Sequence, residues 1–224
     1  MWKLYNQDNL SFYTERKANL IYADMIYENL DFNWINHYWK QLKHGSVFII
    51  QTDYHSVAEI KVYTNGLPDA YFVNWLIWKN EFGNFKKDRF RQAHDDILIF
   101  SKGKDFKFNG EKVQVEKVTA KSKGLNPSGR ITKLATSLIT DICLTTVSSE
   151  RIKLNGKCVK WQKPLALLRR LFSPFVMSGD LILDPFVGTG TSGMVALELG
   201  CDFIGIENNP EIFSLAMKRM ENIK

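Results

Sequence analysis

The sequence predicts an α/β chain with a doubly wound, mostly parallel sheet and helices on both faces. Three observations carry this. Short apolar runs alternate with segments of helical spacing along most of the 224 residues, the pattern of a parallel sheet covered on both sides. A glycine-rich turn lies between one such run and a helix. An acidic residue ends the run after that helix. With 45% hydrophobic and 24% charged residues, the composition is that of a single globular domain spanning 1–224. Disorder, collagen-like repetition and a disulfide scaffold are excluded.

The elements follow in order. Residues 2–5 read as a strand, 10–14 as a short helix, and 19–23 as an apolar strand stopping at Asp24. Phe32, Ile35, Trp39 and Leu42 recur at three- and four-residue spacing, which predicts a helix over 32–42 with Lys43-His44-Gly45 as its stop. Residues 47–50, 71–78 and 97–100 read as further strands, the last two separated by a polar, basic loop over 79–96. From 101 to 157 Lys, Ser, Thr and Gly dominate and periodicity fades, so 102–157 is read as a looser, basic insert. Pro164 suits a first helical turn, with Leu165, Leu168, Phe172 and Phe175 along one face. A strand at 181–183, a helix through Leu199, a strand at 203–206 and a closing helix from Pro210 complete the chain.

Charge and cysteine content narrow the partners. Lys plus Arg number 30 and Asp plus Glu 24, a net of +6. Between Lys102 and Lys133 nine basic residues face three acidic ones, so that segment carries the whole excess, as a surface that meets a polyanion would. Three cysteines without a CxxC pair suit a reducing compartment and exclude a cysteine-rich zinc site. No metal site is expected. No apolar run reaches a membrane span and the first residues lack a signal-peptide profile, so a cytoplasmic protein without membrane contact is expected.

Residues 184–193, Asp-Pro-Phe-Val-Gly-Thr-Gly-Thr-Ser-Gly, place Gly188, Gly190 and Gly193 as GxGxxG between strand and helix, and Glu207 ends the next strand. Bare backbone lets a nucleotide-like ligand approach, and the later acid can accept ribose hydroxyls. The pattern serves both dinucleotides and S-adenosylmethionine. Asp184 favours the second, because a carboxylate at the strand tip repels a pyrophosphate and attracts the methionyl ammonium. A nicotinamide-dependent oxidoreductase stays as the alternative that GxGxxG alone would allow. Since only 17 residues follow Glu207, the remaining strands around the cofactor must come from earlier in the chain, which predicts a circularly permuted sheet.

Together these residues resemble the DNA amino-methyltransferases, in the permuted class whose catalytic half precedes the cofactor half. The likeness rests on Asp184-Pro185-Phe186-Val187-Gly188-Thr189-Gly190-Thr191, on the upstream Gln162-Lys163-Pro164, on Phe203 to Glu207 and, more weakly, on residues 19–27, where Asp24-Met25-Ile26-Tyr27 stands in place of Asp-Pro-Pro-Tyr. Residues 78–103, with Arg89-Phe90 and the run from His94 to Lys102, also resemble that class. The resemblance implies a Rossmann-like methyltransferase sheet and S-adenosylmethionine as cofactor. It places Asp184, Phe186, Gly188 and Gly190 along the methionine and adenosine, Glu207 with Asn208 at the ribose, and Asp8 with Asn9 near the adenine amine. Asp24, Gln162 and Lys163 are implied on the methionine side, although the family's His and Thr before that last motif are Val159 and Trp161 here.

The family's chemistry needs two acceptors on an exocyclic amine whose lone pair is delocalised into its ring. The resemblance assigns these to the Asp24 carboxylate and the Met25 carbonyl, with Tyr27 stacking on the base. A carbonyl belongs to any residue, so Met25 can supply it, but the rigid φ of proline is lost. The acid at the head of this tetrad favours adenine over cytosine. A DNA adenine methyltransferase of a bacterial or phage modification system is therefore expected. A catalytically impaired DNA-binding subunit, or a cytosine amino-methyltransferase, is the alternative. Double-stranded DNA is the expected partner, with a homodimer or a partner methyltransferase subunit left open. Lys86, Lys87, Arg89 and Arg91, on the loop that interleaves cations with aromatics, and Lys121, Lys123 and Arg130, in the basic insert, are the expected DNA contacts.

Overall fold

The computed structural model describes residues 1–25, 31–80, 87–117, 130–144, 149–159 and 161–222. Among the described residues, eight strands form the main sheet in the order β1-β12-β11-β2-β3-β5-β4-β8. These are β1 (Trp2–Asn6), β2 (Ala18–Asp24), β3 (Leu42–Thr52), β4 (Ala70–Lys79), β5 (His94–Lys102), β8 (Leu138–Ile139), β11 (Leu181–Asp184) and β12 (Asp202–Glu207). Every neighbouring pair is parallel except those of β5, which runs antiparallel to both β3 and β4. The C-terminal strands β11 and β12 sit between β1 and β2, so early strands do complete their surroundings.

Period-two side-chain alternation makes the three layers. Along β2, Leu20 and Tyr22 join one core while Ile21 and Ala23 join the other. The central strands are apolar on both faces for that reason. The first core packs α3 (Leu165–Phe172), α4 (Thr191–Glu198) and α5 (Pro210–Glu221), through Leu167, Leu168, Leu171, Phe172, Val195, Ala196 and Met220. The second packs α1 (Asn33–Trp39) and α2 (Val57–Asn65), through Trp34, Ile35, Tyr38, Trp39, Val57 and Ile60. Burying side chains of this size stabilises the fold by roughly 1.5–3 kcal/mol each before chain entropy is counted.

Several boundaries differ from the sequence reading. The expected helix at 10–14 is a single 3-10 turn, Asn9–Ser11, capped by the Asp8 carboxylate accepting from Leu10 N–H. The helix expected over 32–42 ends earlier. Leu42, Lys43, His44 and Gly45 already belong to β3, because Leu42 pairs with Ala18 across an irregularity in the β2–β3 register. Helix α2 was not legible, since its β-branched Val57, Ile60, Val62 and Thr64 weaken helix propensity. Pro164 is the N-cap of α3 rather than its first residue, and Phe175 lies beyond the helix.

The described parts of 102–157 carry more regular structure than their composition suggests. Lys102 ends β5, and β6 (Gln114–Glu116) pairs antiparallel with β7 (Thr132–Leu134). β8 extends the main sheet alongside β4, and β9 (Lys153–Leu154) and β10 (Lys157–Cys158) form a hairpin. Ile139 and Ile142 are buried in the first core, where the Ile142 carbonyl accepts from Trp78 Nε1 at 3.0 Å.

Candidate active site

Because β1, β2, β3, β11 and β12 run in parallel, their carboxyl ends lie along one edge of the sheet. Asp24 ends β2, Asp184 ends β11 and Glu207 ends β12, and Asp95 and Asp96 follow His94 at the start of β5, beside the end of β3. Ligands of open α/β sheets bind at this edge. A cavity of about 540 Å³ opens there, lined by Asp24, Met25, Lys163, Asp184, Phe186, Gly188 and Glu207 among others, a size ordinary for a small-molecule or cofactor site.

The glycine turn is shaped by two different demands. Gly188 and Gly190 adopt φ of +51° and +82°, the left-handed region that glycine enters at little cost, and Gly190 caps α4. A Cβ on Gly193 would stand 2.6 Å from Met220 and 2.8 Å from Phe203, so its role is to let α4 approach α5 and β12. On α5, the Arg219 guanidinium donates to the Thr189 carbonyl and to Thr191 Oγ1, bracing the turn from behind. Burial lowers its pKa to about 10.

Three strand-end carboxylates line the cavity. Asp184 is 1% exposed. Its Oδ1 accepts from Phe186 N–H at 2.8 Å and its Oδ2 from Ser192 Oγ at 2.5 Å. Burial nevertheless dominates these two bonds and, with Asp24 and Glu207 nearby, pushes its pKa up to about 7. Glu207 accepts from Gly188 N–H at 3.1 Å and Asn209 N–H at 2.8 Å, with burial still raising its pKa. Asp24 is also raised, chiefly by burial. The Lys163 ammonium, 2.5 Å from its Oδ2, works against that.

The predicted residues divide as follows. The cavity is lined by Asn9, Asp24, Met25, Gln162, Lys163, Asp184, Phe186, Gly188, Glu207 and Asn208. Asp8 is exposed and spends its carboxylate on the 3-10 cap, and Gly190 packs against Ala216 of α5; neither lines the cavity. Gln162 turns its amide away to Glu150 O and Ile152 N–H, which ties the insert to the wall. Lys87, Arg89, Arg91 and Arg130 are exposed, and Arg89 pairs with Asp88 at 2.6 Å. Tyr27, Lys86, Lys121 and Lys123 lie outside the described residues.

Some lining residues had no motif to mark them. Trp34 meets the Phe186 ring edge to face at 5.2 Å. Trp161 lines the cavity while 65% exposed, with φ of +69°. Met25 is 4% exposed and its N–H donates to the Gln51 carbonyl at 3.4 Å, a bond no proline could make.

The profile of the N6/N4 DNA methylases matches residues 12–218, nearly the full span of the fold just described. The chain belongs to that DNA amino-methyltransferase family. It is 30% identical over 209 residues to the type II methyltransferase M.HpaI of Haemophilus parainfluenzae, an alignment covering 87% of this chain and 62% of that protein. The chain thus spans about three fifths of that relative's length. Among solved structures, the M1.HpyAVI–SAM complex superposes with a TM-score of 0.71 at 24% identity, covering 98% of this chain and all of the other. PvuII DNA methyltransferase, described as cytosine-N4-specific, superposes with a TM-score of 0.73 at 18% identity, covering 100% and 88%. The family's doubly wound, mostly parallel sheet is therefore the fold of this chain, and its neighbours include a cytosine-directed member.

Proposed function

We propose that this chain transfers a methyl group from S-adenosylmethionine to the exocyclic amine of adenine in double-stranded DNA. The observation that carries this reading is that Asp24 and Asp184, brought together by β2 and β11, line one cavity at the carboxyl edge of the sheet. The donor set fits the cofactor. Asp184, with no side-chain cation bound to it among the described residues, suits an ammonium, and Glu207 keeps acceptor capacity for hydroxyls beside the bare Gly188 backbone. When bound, S-adenosylmethionine supplies an electrophilic sulfonium methyl.

The chain's own residues prepare the nucleophile. Asp24 Oδ1, which accepts no hydrogen bond among the described residues, and the Met25 carbonyl are the acceptors for the two amine hydrogens, which draws the nitrogen toward a tetrahedral form with an available lone pair. Burial of Met25 and its N–H bond to Gln51 hold this residue where the family uses proline. That specific packing favours an active enzyme over an impaired subunit. The acidic head of the tetrad supports adenine as the target, and the circularly permuted arrangement is consistent with β11 and β12 inserting between β1 and β2. A flipped base is needed to reach the cavity, and exposed Lys87, Arg89 and Arg91 in the segment before β5 are the proposed phosphate contacts. The test is nucleoside analysis of mixed-sequence DNA incubated with the protein and labelled S-adenosylmethionine. Label in N6-methyladenine is expected, and label in N4-methylcytosine alone would overturn the adenine assignment.

A further inference from the structure

Beside Asp24 the cavity wall holds a buried charge arrangement that the methyl donor does not account for. Lys163, 8% exposed, sits between two carboxylates, with Nζ 2.5 Å from Asp24 Oδ2 and 3.8 Å from Asp95 Oδ2. Asp95 is itself fixed. Its Oδ2 accepts from Gln51 Nε2 at 2.8 Å and its Oδ1 from Asn80 Nδ2 at 2.6 Å, while Gln51 Oε1 accepts from Tyr22 OH at 2.8 Å. Two carboxylates, from β2 and β5, thus meet one ammonium from the segment before α3, while Gln51 and Asn80 hold the second carboxylate and Tyr22 holds Gln51.

A buried carboxylate without a partner takes up a proton instead of staying charged. A protonated Asp24 would present a hydroxyl and lose acceptor strength toward an amine. The ammonium also occupies Oδ2, which leaves Oδ1, without a partner among the described residues, as the oxygen for the base and fixes the carboxylate plane.

We infer that Lys163 is a positioning residue that keeps Asp24 ionised and aimed, and that Asp95 holds Lys163 for this task rather than leaving it to bind the methionine tail of the cofactor. This rests on the reading of Asp24 as amine acceptor. The charged groups facing Asp24 are Lys163 from the segment before α3, Asp95 from β5 and Asp184 from β11. Removing the cation leaves Asp24 among carboxylates only, so its protonation moves to higher pH.

The test compares Lys163→Met, Lys163→Arg, Asp95→Asn and Asp24→Ala with the wild type, using S-adenosylmethionine and unmethylated plasmid DNA. Rates at saturation are read across pH, and cofactor affinity is read by calorimetry. Lys163→Met should lower kcat by about a hundredfold, as misplaced reacting groups do, move the acid limb of the rate profile upward, and leave cofactor Kd within about twofold. Lys163→Arg should restore the limb and most of the rate. Asp95→Asn should act in the same direction more weakly, and it carries the test should Lys163→Met not fold. A Lys163→Met protein with weakened cofactor binding but a wild-type saturating rate overturns the inference in favour of a cofactor-tail ligand. So does a lowered rate with an unmoved acid limb and no recovery in the arginine variant. Asp24→Ala with wild-type transfer would instead overturn the acceptor reading itself.

Discussion

Asp184→Asn separates the electrostatic demand of the site from the stability of the fold. The folded protein holds the Asp184 carboxyl near a pKa of about 7 against an ordinary 3.8, so the folded state binds this proton more tightly than the unfolded chain does. Its contribution to stability is therefore complete below about pH 4, declines as pH rises, and is lost by about pH 7. Three units correspond to about 4 kcal/mol, of which about 3 kcal/mol falls between pH 5 and pH 8. An asparagine can keep both present bonds, accepting from Phe186 N–H and donating to a rotated Ser192 hydroxyl. Urea unfolding of the ligand-free protein at pH 5 and pH 8 measures the effect. The variant should gain on the wild type by about 3 kcal/mol over that interval, while its affinity for S-adenosylmethionine collapses because the ammonium loses its counter-charge. A wild-type-to-variant difference that is the same at both pH values would refute the reasoning.

Other consequences follow from the same geometry. Met25→Pro restores the first of the family's two prolines but removes a buried side chain and the bond to Gln51; a loss of about 2–4 kcal/mol in thermal or urea unfolding is expected. Gly193→Ala forces a methyl against Met220 and the Phe203 ring and should cost about 1–3 kcal/mol by the same measurement. Replacing Lys87, Arg89 or Arg91 by Ala should weaken binding to unrelated DNA sequences about equally, and each should reduce the slope of log affinity against log salt by about 1. Wild-type cofactor affinity, measured by calorimetry, should tighten as pH rises through about 7, where Asp184 becomes charged.

Much of the fold was legible because apolar runs such as Leu20 to Ala23 and Leu181 to Leu183 can be buried on both faces only in a sheet wrapped by helices. The glycine turn was legible because backbone geometry dictates its residues. Helix α2 was not, since tertiary packing of Val57 and Ile60 overrides a weak local preference. The β8 strand, two residues long, becomes a strand only through its pairing with β4. At the site, Asp24, Asp184 and Glu207 could be named from their motifs, but Asp95, Asn80 and Gln51 could not. Their role depends on Lys163 arriving from 68 positions beyond Asp95, and no local spacing encodes that meeting. Asp8 shows the converse, an acid whose motif position pointed to the cofactor and whose carboxylate is bound to the turn beside it.

The most direct measurement is single-turnover methyl transfer to DNA by the wild type and by Asp24→Ala, with cofactor and DNA binding measured on the same preparations. A mutant that binds both ligands as the wild type does yet transfers no methyl group is the predicted result. A mutant that methylates DNA at the wild-type rate would contradict the account.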